Sequence, residues 1–296
     1  MRTGGHGLRY KSALRGLWMS DFPPDSKLVG RVSPSPNNDE RQAAIDMILL
    51  HYTGMESPDE ALARLCSIEA RVSSHYFIEE DGGIIQLVPE ARRAWHAGVS
   101  SWHGVTDINS CSIGLEIVNP GYDFGYPDFP AVQIEAVIAL CRDITRRRQI
   151  PLPRVLAHSD VAPARKNDPG EKFPWPKLAN AGVGLWVDPT QVTPGPELDP
   201  GDQGGAITMI QKMLKDFGYG MGVTGAYDET TTYVVTAFQR HYRPARVDGI
   251  ADHSTIGLEP ELLVVRETGQ HGRGHGDGGH DQRIEAPRHR RASPDE

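Results

Sequence analysis

Cysteine is scarce in this chain: Cys66, Cys111 and Cys141 are the only three in 296 residues. Their spacing is unpaired, which excludes a disulfide framework, and they read as small buried hydrophobes. Cys111 lacks the electropositive setting that a thiolate nucleophile needs. Long apolar runs are also missing, and nothing approaches the roughly 18 residues of a membrane span. Positive charge is outnumbered, with 31 Lys and Arg against 39 Asp and Glu and a net charge of -8, which argues against a general nucleic-acid binder. The 38% of hydrophobic residues suffices for real cores, and the length allows about two domains.

Short apolar segments predict strands over Met47–Leu50, His75–Glu79, Ile84–Val88, Ser112–Val118 and Val155–His158. Glu80-Asp81-Gly82-Gly83 predicts a hairpin turn. Pro58–Cys66 and Ala131–Arg148 predict helices, the second with a stripe of Val132, Ala136, Ala139, Leu140, Asp143 and Ile144 before a stop at Pro151. The implied fold class is α/β, a mixed central sheet flanked by helices, followed by a small C-terminal three-helix module.

Within this layout the segment His158–Gly170, HSDVAPARKNDPG, places an imidazole, a cation and a carboxylate in one short stretch. A catalytic zinc ion takes three protein ligands and keeps a fourth position for water. His158 and Asp168 supply two of these, and His51, at the end of Met47-Ile48-Leu49-Leu50, is the obvious third. Both histidines follow apolar segments, so they would project from the C-terminal ends of strands, where open α/β sheets carry their sites. Pro163, Pro169 and Gly170 predict an irregular, non-helical path for the loop. His75, in Ser73-Ser74-His75-Tyr76, reads as a hydrogen-bonded structural residue.

Together with Glu116, these residues resemble the zinc-dependent N-acetylmuramoyl-L-alanine amidases of the amidase-2 group, related in fold to peptidoglycan recognition proteins. The resemblance runs from about Pro24 to Val187 and includes LLHYTGM, SSHYFIEEDG, WHAGVSSW, INSCSIGLEIVNPG and KFPWPKL in the family's order. It implies one zinc ion on His51, His158 and Asp168, a catalytic glutamate at Glu116 and a catalytic lysine at Lys166. Zinc lowers the pKa of its bound water to about 7. Glu116 would take a proton and pass it to the leaving amine, while Lys166 would stabilise the developing oxyanion. The bond implied is the lactyl amide between N-acetylmuramic acid and the L-alanine of the stem peptide. Trp95, His96, Trp102 and Asn109 match places where the family lines its groove and are candidates for substrate contact; core packing is the alternative for both tryptophans.

After Trp186 the composition changes, and residues 188–201 hold four prolines and two glycines, as a linker would. Beyond it Ala206–Leu214 and Thr232–His241 predict amphipathic helices, and Val223–Thr231 is echoed by Val247–Thr255 as glycine turns leading to helix starts. Residues 202–264 thus resemble the peptidoglycan-binding module marked by GYG, TGxY, AFQ and DGIAD-type turns, with the last helix interrupted at Gly257 and Pro260. Its role would be glycan binding or packing against the catalytic domain, residues 20–187. Residues 265–296, rich in Gly, His and Arg, cannot bury enough surface to order themselves, and residues 1–19 are expected to be a disordered extension. The basic segment Met1–Trp18 lacks the apolar core of a secretion signal, and Met19 would make a natural start. That points to the cytoplasm, whereas a wall-binding module points to the periplasm or cell envelope. Two functions are compatible with these features: a zinc amidase acting on peptidoglycan or muropeptides in wall turnover or recycling, and a catalytically silent peptidoglycan-binding protein. The complete ligand set favours the enzyme.

Overall fold

Strand β3, Met47–Tyr52, lies between two hydrophobic layers, and its continuous apolar run reflects burial on both faces. Met47 and Leu49 enter one hydrophobic cluster, and Ile48 and Leu50 enter another on the opposite face. This is described by a computed structural model covering residues 22–188 and 197–257. The expected N-terminal extension, linker residues 189–196, Pro260 and the C-terminal tail lie outside the described residues.

The six-stranded sheet has the order β1-β5-β4-β7-β3-β8, with β1 Arg31–Val32, β4 Tyr76–Ile78, β5 Ile84–Gln86, β7 Ser112–Ile117 and β8 Val155–Ala157. β3 pairs in parallel with β7 and β8, and β7 with β4, while the predicted hairpin makes β4 and β5 antiparallel. A second small sheet joins β2, Asn38–Glu40, to β6, Arg92–Ala94. Neither β1 nor β2 and β6 stand out as apolar strands, since their residues are mostly polar and partly exposed.

Helix α1, Pro58–Leu65, begins with Ser57 accepting from the Glu60 amide and with proline in its first turn, where no amide donor is missed. A short helix α2, Ile108–Cys111, leads directly into β7. Helix α3, Ala131–Arg148, has the expected bounds but a different buried stripe: Ile134, Val137, Leu140, Cys141 and Ile144 face the sheet, while Val132 is about half exposed. Gln133 also faces inward because its amide donates to the carbonyls of Val118 and Ile78, so a polar residue sits where the apolar pattern alone places none. Residues His158–Val161 form a one-turn helix, α4, correcting the expectation of a wholly irregular loop; the prolines lie beyond it. Helix α5 spans Trp175–Asn180.

The C-terminal segment folds as α6, Gly205–Phe217, and α7, Glu229–Tyr242, with residues 253–257 helical again. The sequence echo is structural. Gln211 Oε1 accepts from the amides of Thr224 and Gly225, and Gln239 Oε1 from those of Asp248 and Gly249. Asp228 and Asp252 each hold the amide and hydroxyl of the threonine three residues on. The apolar side of this pair of helices completes the cluster containing Met47, Leu49 and Leu156, so α6 and α7 form a layer over one sheet face while α3 covers the other. No described helix is long and apolar enough to cross a membrane.

Glu90 ties α3 to the sheet edge. Its buried carboxylate receives Arg147 in bidentate fashion at 2.9 and 2.7 Å, Arg148 at 2.7 Å and the Tyr76 hydroxyl at 2.7 Å. Burial opposes its ionisation, yet the hydrogen bonds from Arg147 and Tyr76 hold its pKa down to about 2. A depressed acid stabilises the fold above its unfolded pKa and loses that contribution as pH falls through the folded value. Glu90→Ala is therefore expected to cost about 3 kcal/mol at pH 7 by denaturant unfolding. The gap from wild type should narrow between about pH 4.5 and pH 2; a gap independent of pH would show that packing, not the charge network, sets the cost.

Candidate functional site

The register of three strands assembles the site. His51 on β3 lies directly beside Glu116 on β7, and Leu49 lies beside Leu156 on β8, two residues before His158. Partners in parallel strands present side chains to the same face, so His51 and Glu116 emerge together at the C-terminal end of the sheet. After α4 the chain turns on the Ala162 carbonyl, which accepts from the amides of Arg165 and Lys166, and returns until the Ser159 amide donates to the Asp168 carbonyl. That closure brings Asp168 back against His158.

His51 Nδ1, His158 Nδ1 and Asp168 Oδ2 form a triangle with sides of 2.9, 3.1 and 3.0 Å. Among the described residues these three form a buried group of potential metal donors. Their outer nitrogens are committed elsewhere. His158 Nε2 lies 3.1 Å from the Ala97 carbonyl, which can only accept, so Nε2 carries the proton and Nδ1 the lone pair. For His51 the assignment runs through a relay. Ser112 Oγ donates to the Ile108 carbonyl at 2.6 Å and therefore accepts from His96 Nε2 at 3.3 Å. His96 Nδ1 is then the acceptor for His51 Nε2 at 3.1 Å, leaving the His51 Nδ1 lone pair in the triangle. The relay requires close approach of His96 to β7: a Cβ at Gly114 would meet His96 Cγ at 2.5 Å.

Three lone-pair donors converging in a dry site repel one another unless a cation lies between them. Bonds of about 2.0–2.1 Å to a tetrahedral ion put neighbouring donors about 3.3 Å apart, within a few tenths of an ångström of the triangle observed. The donor set fits a metal ion. Burial, and then the neighbouring His158, push the His51 pKa down to about 4, and burial with His51 pushes His96 well below its usual value, so both rings are neutral at pH 7. Burial opposes ionisation of Asp168, but His158 and His51 outweigh it and hold its carboxyl well below the ordinary range.

The triangle opens into a cleft of about 420 Å³ whose lining includes Glu116, Lys166, Trp95 and His96. Glu116 is only partly covered as a residue, yet its Oε2 is buried with no hydrogen-bond partner. Burial, reinforced by the Asp168 charge and relieved in part by Lys166, raises its pKa to about 8. His51, His158, Asp168, Glu116 and Lys166 are thus brought together. Trp95 lines the cleft with its Nε1 tied to Asp39, and His96 reaches it chiefly as the His51 partner.

Two expected contact residues lie elsewhere. Trp102 is 1% exposed and packs edge-on against Phe217 and Tyr219 of the C-terminal layer, so of its two readings core packing is the one observed. Asn109 is buried, and its Oδ1 accepts from the amides of His96 and Ala97, shaping the loop behind the cleft. Conversely, sequence reasoning passed over Arg165 and Tyr52, which line the cleft. Arg165 donates to the carbonyls of Ala97 and Val99, tying the two cleft loops together; its adjacency to Lys166 was the available signal. Cys111 and Cys141 are buried, with burial raising both thiols, Cys141 to about 12, whereas Cys66 is only partly covered.

Fold and site define a class: an α/β protein with a His-His-Asp metal site and an adjacent buried acid at the C-terminal edge of a mixed sheet. The family model for N-acetylmuramoyl-L-alanine amidase matches residues 41–171, and that for a peptidoglycan binding domain matches residues 203–258. The chain is 36% identical over 238 residues to N-acetylmuramoyl-L-alanine amidase AmiD of Escherichia coli K12, covering 74% of this chain and 82% of that protein. The structure of that amidase in complex with anhydro-N-acetylmuramic acid-L-Ala-D-gamma-Glu-L-Lys superposes with a TM-score of 0.64 at 35% identity, covering 78% of this chain and 93% of that one. AmpDh3 of Pseudomonas aeruginosa bound to anhydromuramic pentapeptide gives a TM-score of 0.64 at 30% identity, covering 74% and 91%. This chain belongs to the N-acetylmuramoyl-L-alanine amidase family.

Because Glu116 binds its proton more tightly folded than unfolded, it favours the metal-free fold at low pH and loses that contribution as pH rises from about 4.5 through about 8. Metal-free Glu116→Gln should therefore match wild type in melting temperature at pH 5 and exceed it at pH 8.5. Parallel pH profiles for the two would contradict the buried-acid assignment.

Proposed function

We propose that this enzyme cleaves the amide joining N-acetylmuramic acid to L-alanine in soluble muropeptides, with a single zinc ion held by His51, His158 and Asp168. The carrying observation is the triangle of two imidazole nitrogens and one carboxylate oxygen opening beside a buried, unpartnered Glu116 oxygen. Support for the substrate class comes from the anhydromuramyl peptides bound to the E. coli and P. aeruginosa relatives.

When bound, zinc supplies a Lewis acid for the scissile carbonyl and a stronger water nucleophile at neutral pH. With two imidazoles and one carboxylate as its protein ligands, a bound divalent ion would keep a net positive charge, which would suit an incoming carbonyl oxygen. Glu116 accepts the proton of the attacking water and delivers it to the departing amine nitrogen. Its tendency to hold a proton fits that second task, and a nearby cation brings the carboxylate into the range needed for the first. Lys166, on the cleft wall, is the cation for the charge that develops on the carbonyl oxygen. The C–N bond breaks, water's oxygen stays on the lactyl carboxylate, and L-alanine leaves with a free amine.

Glu116→Ala should retain stoichiometric zinc while losing at least about 100-fold in kcat, as general acid–base contributions imply. His51→Ala should lose zinc and activity together. Mass spectrometry of products from a 1,6-anhydro-muropeptide, with a chelator control, reads both; wild-type zinc protein releasing no peptide with an L-alanine amine would remove this reading.

A further inference from the structure

Asp160 is a fully buried carboxylate two residues beyond His158, and both of its oxygens are engaged. Oδ2 accepts from the Ala157 amide at 2.8 Å and from His241 Nδ1 at 2.6 Å; Oδ1 accepts from the Tyr219 hydroxyl at 2.8 Å. Two of these three donors come from the C-terminal layer. His241 is itself fully buried, its ring stacked at 3.6 Å on Trp175 of the sheet domain and at 3.8 Å on Tyr242.

The turn Gly218-Tyr219-Gly220, which by resemblance marks a peptidoglycan-binding module, faces inward against Ser101 and Trp102. A Cβ at Gly218 would run into the Trp102 ring, and one at Gly220 would come within 2.9 Å of Ser101 Cβ. The His103 amide donates to the Gly218 carbonyl at 2.8 Å. Just before this stretch, Ala97 provides the carbonyl that holds His158 Nε2, and the Ser101 amide caps Val161 at the end of α4. This face of the module is therefore joined to both supports of His158, the α4 turn and the 97–103 segment.

We propose that the C-terminal module is a brace for the metal site, with Tyr219 and His241 as positioning residues that act on His158 through Asp160. The proposal rests on the metal reading given above. A carboxylate in a dry interior requires donors. Without the module, Asp160 keeps only the Ala157 amide, and the single helical turn must rearrange to satisfy it. The affected turn starts with a metal ligand, so the loss appears as weaker metal binding, the usual consequence of removing an outer support.

The test uses the full chain and measures zinc affinity by competition with a chromophoric chelator, alongside thermal unfolding. Tyr219→Phe removes one hydroxyl and keeps the ring, and His241→Gln removes the stacked imidazole; each is expected to weaken zinc binding about 10-fold or more. Tyr219→Phe added to Asp160→Asn should weaken it no further, because the path runs through that carboxylate. In metal-free protein the ¹⁵N resonances of His158 should shift in Tyr219→Phe, whereas Met209→Ala, an exposed position on α6, should change neither affinity nor resonances. Unchanged zinc affinity in both interface variants, even with lowered melting temperatures, would overturn the brace and leave the module as packing only. Wild-type protein that takes up no zinc would instead overturn the metal reading, and the brace with it.

Discussion

The register of β7, β3 and β8 is the constraint on which the site depends. In a sheet, sliding one strand by one residue sends its whole side-chain set to the opposite face. Here the same alternation serves packing and chemistry. Met47 and Leu49 anchor the C-terminal layer, and His51 continues their face; on β7, Gly114 and Glu116 share it. Ile48, Leu50, Ile113, Leu115 and Ile117 point into the other cluster, beneath α3. Burial of those residues is what makes a slip costly, so hydrophobic packing fixes the position of groups that contribute nothing to hydrophobic stability.

The site then places polar groups where burial works against them. Three histidine rings and two carboxyls share a dry pocket, and each is managed differently. His51, His96 and Ser112 form a directional chain ending on a backbone carbonyl, so proton positions are set without any net charge. Asp168 is held well below the ordinary carboxylate range and so carries the charge in the triangle. Glu116, with one oxygen unpartnered, is left with the raised pKa that those neighbours avoid. Two carboxyl groups in one pocket are thereby pushed apart in acidity, as the proposed division between a metal ligand and a proton carrier requires.

Much of this was legible in the chain. Short apolar segments ending in His51 and preceding His158 marked β3 and the edge strand β8 because both are buried and buried strands have few polar residues. Helix 131–148 was found at its exact bounds, although its inward face was set by Gln133 and the larger aliphatic side chains around it, a distinction that needs the sheet to be present. Edge elements such as Arg31–Val32 and the pairing of Asn38–Glu40 with Arg92–Ala94 left no apolar pattern, since they are held by backbone pairing and surface ion pairs. His51, His158 and Asp168 could be named from spacing, and Glu116 and Lys166 from resemblance. The supports that fix the imidazole proton positions could not, because Ala97 and the His96–Ser112 relay act through contacts distant in sequence.

Trp102 shows why a groove residue and a core residue read alike. A large aromatic near a loop satisfies either role, and only the partner surface decides. Here that surface is the C-terminal layer, whose Phe217 and Tyr219 rings lie 6.0 and 5.0 Å from Trp102. The same layer fills the sheet face left open beside the site, so the region beyond the linker, read from sequence as a glycan-binding module or a packing partner, helps to cover the face of β3 that carries Met47 and Leu49. A module joined by a hydrophobic cluster and a buried carboxylate differs physically from one joined only by its linker: its contacts are shared with the turn carrying His158, and the two parts are expected to unfold together rather than in succession.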